Sequence, residues 1–142
     1  MNEYLNVIRN HYADFKGRAR RREYWLFALI NWAISMALSL PYLLTSGSVD
    51  PDSGMPAAPS GLPMISIGLA GLYSLATLVP SLAVTVRRLH DTGRSGWGLL
   101  VSLVPLVGSL VMLVLTILDS QPGSNKWGPN PKAMEASAAT TW

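Results

Sequence analysis

The chain has no cysteine and only two histidines, His11 and His90. The first absence excludes disulfides and thiolate chemistry. The second excludes a histidine-rich metal site. Charge is also scarce: Asp, Glu, Lys and Arg make up 13% of the 142 residues. They are confined to four islands, 1–23, 45–61, 87–96 and 119–142, and the intervals 24–44, 62–86 and 97–118 hold none. Each interval has about the length that crosses a hydrocarbon core of roughly 30 Å, and a soluble core helix would be broken by a charge well before that. What the chain lacks therefore points to an all-α integral membrane protein, a single domain over 1–142 with three membrane segments.

The charges that remain are asymmetric. Arg9, Lys16, Arg18, Arg20, Arg21 and Arg22 precede the first segment, and Arg87, Arg88 and Arg94 lie between the second and third. The loop 45–61 has Asp50 and Asp52 and no Lys or Arg. The positive-inside rule then puts the N-terminus and residues 87–96 in the cytoplasm and 45–61 outside. Basic clusters that flank spans are explained by insertion and anionic lipid, so nucleic acid is not expected as a partner. The first apolar run follows a long charged segment and is too long for a signal peptide core, so it reads as an uncleaved anchor.

Along the chain, Tyr4, Ile8, Tyr12 and Phe15 form a helical stripe with Leu5 beside it. This suits a short N-terminal interfacial helix on the cytoplasmic leaflet, or one packed against the other cytoplasmic loop. Tyr24 and Trp25 sit where an aromatic belt is expected. Asn31 in the first segment is read as packing glue. The loop 45–61, rich in Ser, Gly, Pro and Asp, reads as a flexible linker, and Pro80 as a kink in the second segment.

Residues 87–97 read as a surface loop in which Gly93 caps one helix and Ser95 starts the next. Asp91, among Arg87, Arg88 and Arg94, reads as a paired carboxylate, and Glu23 as a second. The third segment holds Pro105 and Gly108 at its middle. It is read as one kinked span that leaves the tail outside. The alternative is a re-entrant hairpin that leaves the tail inside. Residues 133–142 are expected to be disordered.

Three signatures occur in order: Phe15-x-Gly17-Arg18-x-x-Arg21-x-Glu23-Tyr24-Trp25, then Arg87-Arg88-Leu89-His90-Asp91-Thr92-Gly93-Arg94-Ser95-Gly96-Trp97, then Asn125-x-x-Gly128-Pro129-x-Pro131. Over roughly residues 4–131 the chain resembles the bacterial inner-membrane family known as domain of unknown function 805. Gly98 stands where members often carry a second aromatic. The resemblance implies a small multi-span inner-membrane protein and no particular reaction.

No catalytic residue, cofactor or metal is assigned. The leading expectation is an accessory protein whose Arg18, Arg21, Arg22, Arg87, Arg88 and Arg94 engage anionic headgroups or a protein partner, with Glu23 and Asp91 as structural ion-pair partners. An oligomeric transporter or channel subunit is the alternative, and a lipid-modifying enzyme using His90 and Asp91 the third. Adjacent residues on a helix do not face one another, which counts against that last pair.

Overall fold

A computed structural model describes residues 2–133. Among them every regular element is helical: α1 (Asn2–Asn10), α2 (Arg21–Thr45), α3 (Leu62–Asp91), a 3-10 helix (Gly96–Leu103) and α4 (Val107–Ile117). Extended pairing is limited to two isolated bridges, Val49 with Pro56 and Asn125 with Gly128. The last residues of the stretch expected to be disordered, 134–142, lie outside the described part. Helices α2 and α3 are long and apolar enough to cross a membrane, and α4 is shorter. The chain divides into two compact units, residues 1–28 with 79–142, and residues 29–78.

In the first unit α1 ends at Asn10, short of the predicted Phe15. Its apolar face turns inward: Val7 is fully buried with Ala19, Phe27 and Val84, and Tyr4, Ile8 and Tyr24 pack around them. The Tyr4 and Phe27 rings stack with centroids 5.4 Å apart. One face of α1 thus packs inward against the start of α2. Leu5, Tyr12 and Phe15 stay exposed.

The predicted surface loop is shorter than expected. Arg87 to Asp91 are the last residues of α3, not a loop. The helix ends in a Schellman motif, with Gly93 N–H donating to His90 O and Arg94 N–H to Leu89 O, both at 3.0 Å. Gly93 at φ 79° supplies the left-handed residue this motif needs. Ser95 then caps the 3-10 helix, its hydroxyl accepting from Trp97 N–H.

The third charge-free segment, read as one kinked span, does not form one membrane-long helix but divides into the 3-10 helix and α4. The 3-10 helix has eight residues and α4 eleven, so each extends roughly 16 Å, about half of a ~30 Å hydrocarbon core. Between them Leu106 adopts φ 63° and ψ −59°, and Val107 N–H donates to Pro105 O at 2.7 Å. This is a γ-turn of the strained, positive-φ kind. The two halves fold back on each other: a Cβ on Gly108 would stand 2.1 Å from Val101 O and 2.9 Å from Ser102 Cα. Only glycine allows that approach. Both ends of the hairpin return to the Arg87–Asp91 end of α3.

The second unit holds residues 29–45 of α2, the loop and residues 62–78 of α3. Its apolar side chains face outward; Leu29, Trp32, Leu44, Leu72 and Leu75 are all at least 60% exposed. The Tyr73 hydroxyl donates to Asn31 Oδ1 at 2.8 Å. The loop, expected as a flexible linker, carries local turns. Asp50 Oδ1 accepts from the backbone N–H of Asp52 and Ser53, both at 2.9 Å, and Asp50 N–H reaches Met55 O at 2.8 Å. An Asx turn thus closes it, and these bonds to Ser53 and Asp52 hold the Asp50 carboxyl below the usual range.

Candidate functional site

The chemistry of the first unit gathers around Asp91, which is fully buried at the end of α3. Oδ1 accepts from Arg18 Nε at 2.9 Å. Oδ2 accepts from Arg88 Nη1 and, at 2.6 Å, from the Ser120 hydroxyl. The Asp91 carbonyl accepts from Gln121 N–H at 2.8 Å and from Arg18 Nη2 at 3.2 Å. A buried carboxylate is tolerated only when paired and hydrogen-bonded, and this one is both.

The two guanidinium groups are equally occupied. Arg18 Nη2 also donates to Gln121 O at 2.6 Å, and Nη1 to Gly123 O at 2.8 Å. Arg88 donates from Nε to Thr116 O at 3.1 Å and from Nη2 to Leu118 O. Arg88 therefore caps the C-terminal carbonyls of α4, where a cation is favoured. Arg87 Nη2 lies 2.8 Å from Glu23 Oε1. The contact is ionic rather than a directed bond, because both atoms, and Arg87 Nε, are buried without a hydrogen bond. Backbone joins the two strongest signatures: Ala19 N–H donates to Arg87 O at 3.0 Å.

His90 faces away from this knot. Its ring stacks on Trp127 at 4.4 Å, and its Nδ1 lies 3.3 Å from Gly17 O. His90 and Asp91 thus have separate partners and do not converge. Asn125 donates to His90 O at 3.0 Å, and its Oδ1 accepts from Trp127 N–H at 3.0 Å. With Gly128 O accepting from Asn125 N–H, the tail motif is a tight turn over the end of α3, and Pro129 follows it on the surface. Trp25 is part-exposed, its ring edge-on to Tyr24. Trp97 is 78% exposed beside a groove of about 540 Å³ shared with Phe15 and His90.

The six arginines named as headgroup ligands separate into two sets. Arg18, Arg87 and Arg88 are buried. Arg18 and Arg88 spend their donors on internal acceptors, and Arg87 faces Glu23, so these three do not present their forks to an outside phosphate. The sequence expectation counted only carboxylates as acceptors and so treated these three as free. Arg21, Arg22 and Arg94 are exposed.

A second cluster, which the sequence reading missed, surrounds the first two of these. Arg20, Arg21, Arg22, Asp119, Ser120 and Lys132 line a cavity of about 280 Å³. Asp119 Oδ1 lies 3.0 Å from Arg21 Nη2, and Lys132 Nζ lies 3.4 Å from Asp119 Oδ2. The Ser120 N–H, and then Arg21 and Lys132, hold the Asp119 carboxyl below the ordinary range. Lys132 gave no signal because it stands between the tail motif and the stretch expected to be disordered. Among the described residues no three metal-ligating side chains converge.

A family model described as "Protein of unknown function (DUF805)" matches residues 12–129. The chain is similar to "Inner membrane protein YhaI" of Escherichia coli K12, 42% identical over 132 residues that cover 93% of this chain and 97% of that protein. It is similar to "Inner membrane protein YhaH" of the same strain, 38% identical over 132 residues, covering 93% and 98%. "Uncharacterized protein YiiR" is 32% identical over 88 residues, 61% of this chain and 48% of that protein. No solved structure matches.

Proposed function

The chain belongs to the DUF805 family, and from that premise we propose that it is a small accessory protein of the bacterial inner membrane whose outward cations engage anionic headgroups of the cytoplasmic leaflet. One observation carries this reading. The buried guanidiniums are spoken for inside the protein, whereas Arg21, Arg22, Arg94, Lys126 and Lys132 stay exposed. Each basic residue near an anionic leaflet is worth roughly 1 kcal/mol of attraction. The Lys/Arg asymmetry orients the N-terminus inward and the 46–61 loop outward. In the same reading the Gly96–Ile117 hairpin dips into the inner leaflet and returns, leaving the tail in the cytoplasm. The roughly 16 Å reach of each half and the bonds from Ser120 and Gln121 to Asp91 support that path. Asn31, a polar group that a transport path through the helices would use, is bonded to Tyr73, so the transporter reading gains no support.

The cysteine-free background gives a direct test. Single cysteines replace Ser48, Ser95 and Ser124, and intact cells are treated with an impermeant thiol reagent. Ser48 should label without permeabilisation, and Ser95 and Ser124 only after it. Labelling of Ser124 from outside would replace the hairpin by a span. Salt-insensitive binding to anionic vesicles, or none, would remove the headgroup role and leave a protein partner as the occupant of this face.

A further inference from the structure

We propose that the cavity at the start of α2 is a discrete phosphate-binding site, formed by Arg21, Arg22 and Lys132 with Arg20 at its edge. The proposal rests on the headgroup reading above but goes further: it places one phosphate group at one location, where that reading needs only diffuse attraction.

Four observations converge. The lining described here sets Arg20, Arg21, Arg22 and Lys132 against a single acid, Asp119. Asp119 shows where an anion sits, because its carboxylate lies 3.0 Å from Arg21 and 3.4 Å from Lys132 while remaining 57% exposed. It is a weakly held internal anion in a place built for a stronger one. The cations are also preorganised. Arg21 Nη1 donates to Ile117 O at 3.2 Å and Arg20 Nη2 to Pro131 O at 3.3 Å. These anchors fix the two forks while Arg22 has no internal hydrogen bond among the described residues. Finally, Arg21 and Arg22 begin α2, a 25-residue helix, whose first-turn N–H groups and dipole favour a bound anion. Tyr24 and Trp25 follow at once, so the cavity stands at headgroup depth beside an aromatic belt.

The chemistry selects a phosphate rather than a carboxylate. A planar guanidinium fork matches two phosphate oxygens, and three cations outnumber the one charge Asp119 supplies. At about 280 Å³ the cavity is below the roughly 300–1,000 Å³ of sites for drug-sized ligands, which suits a headgroup or a free phosphate. Such a phosphate would enter by displacing the Asp119 carboxylate from Arg21 and Lys132.

That displacement is the basis of the test. Full-length protein in a non-ionic detergent is titrated with short-chain phosphatidylglycerol, short-chain phosphatidylcholine and inorganic phosphate, and bound copies are counted by native mass spectrometry. Asp119→Asn removes the competing anion and should tighten binding several-fold. Glu3→Gln changes net charge equally but lies in α1, away from the cavity, and should not. Arg22→Lys keeps the charge and loses the fork, so it should weaken binding about tenfold. Arg21→Lys should do the same, and because it also releases Ile117 O, Arg22→Lys remains the decisive variant if Arg21→Lys folds poorly. Saturation by phosphatidylglycerol identifies a lipid source, and saturation by inorganic phosphate a soluble one; either supports the site. Equal shifts from Asp119→Asn and Glu3→Gln, with Arg22→Lys unchanged, would overturn the site and leave only diffuse headgroup attraction. No preference for any phosphate anion over phosphatidylcholine would overturn both.

Discussion

Residues 29–78 and the unit formed by residues 2–28 and 79–133 are built from two parts of the same helices, yet they are organised differently. In the first, the Tyr73 hydroxyl reaches Asn31 and large apolar side chains face outward. In the second, one carboxylate, Asp91, receives Arg18, Arg88 and Ser120, and backbone from four separate stretches accepts from the two arginines. Apolar residues suffice where lipid is the solvent, because lipid tails solvate leucine as well as another helix does. Buried backbone polar groups without helical partners must be satisfied, and here two arginines satisfy many of them. The contrast predicts that single polar substitutions hurt one unit far more than the other.

The largest effect should come from Asp91→Asn. It leaves two buried guanidiniums without their counter-ion, a loss of about 3–5 kcal/mol. Denaturant unfolding in detergent, read by tryptophan fluorescence, should show the change or a collapse in folded yield. A loss under about 1 kcal/mol would mean that the main-chain carbonyls alone neutralise the knot, and the contrast would lose its cause.

The hairpin sharpens the comparison with paired substitutions of opposite sign. Gly108→Val has no room beside Val101 O and should cost about 1–3 kcal/mol. Leu106→Gly relieves a residue at φ 63° and should gain about 1 kcal/mol. A continuous span would give neither result in a thermal melt, since glycine inside a helix destabilises.

The smallest effect belongs to residues 29–78. Asn31→Leu removes the acceptor of Tyr73 and should cost about 0.6 kcal/mol, a typical value for a polar pair between membrane helices. The same melt measures it, and a loss near that of Asp91→Asn would erase the distinction between the units.

Much of this was legible in the residues. Charge-free runs at 24–44 and 62–86 mark helices observed at Arg21–Thr45 and Leu62–Asp91. Gly93 and Ser95 act locally, so their capping roles follow from type and position. The arginines were harder. Arg18 and Arg88 are held largely by carbonyls of Ala19, Thr116, Leu118, Gln121 and Gly123, and every residue type carries a carbonyl. Sequence therefore shows the donors and hides the acceptors. Val7 was overlooked for a related reason: beside the predicted stripe of Tyr4, Ile8, Tyr12 and Phe15 it looks minor, yet it is the one fully buried. Pro105 and Gly108 signalled a break but not its consequence. What the residues did not signal is the stretched 3-10 form of Gly96–Leu103, which makes eight residues as long as eleven in α4.

The partners of Arg18 also set an order of events during synthesis. Gly123 is 105 residues further along the chain, so at ribosomal rates of about 5–20 residues per second Arg18 waits roughly 5–20 s for that carbonyl. Asp91, 73 residues further along, emerges before it, so the Arg18 charge lacks its carboxylate partner only until that point. The arrival of Asp91, and then of the tail carbonyls, retires the charge into the protein. Arg18 is thus an unpaired cation early in synthesis and an internal tie once the chain is complete, two states separated in time on one side chain.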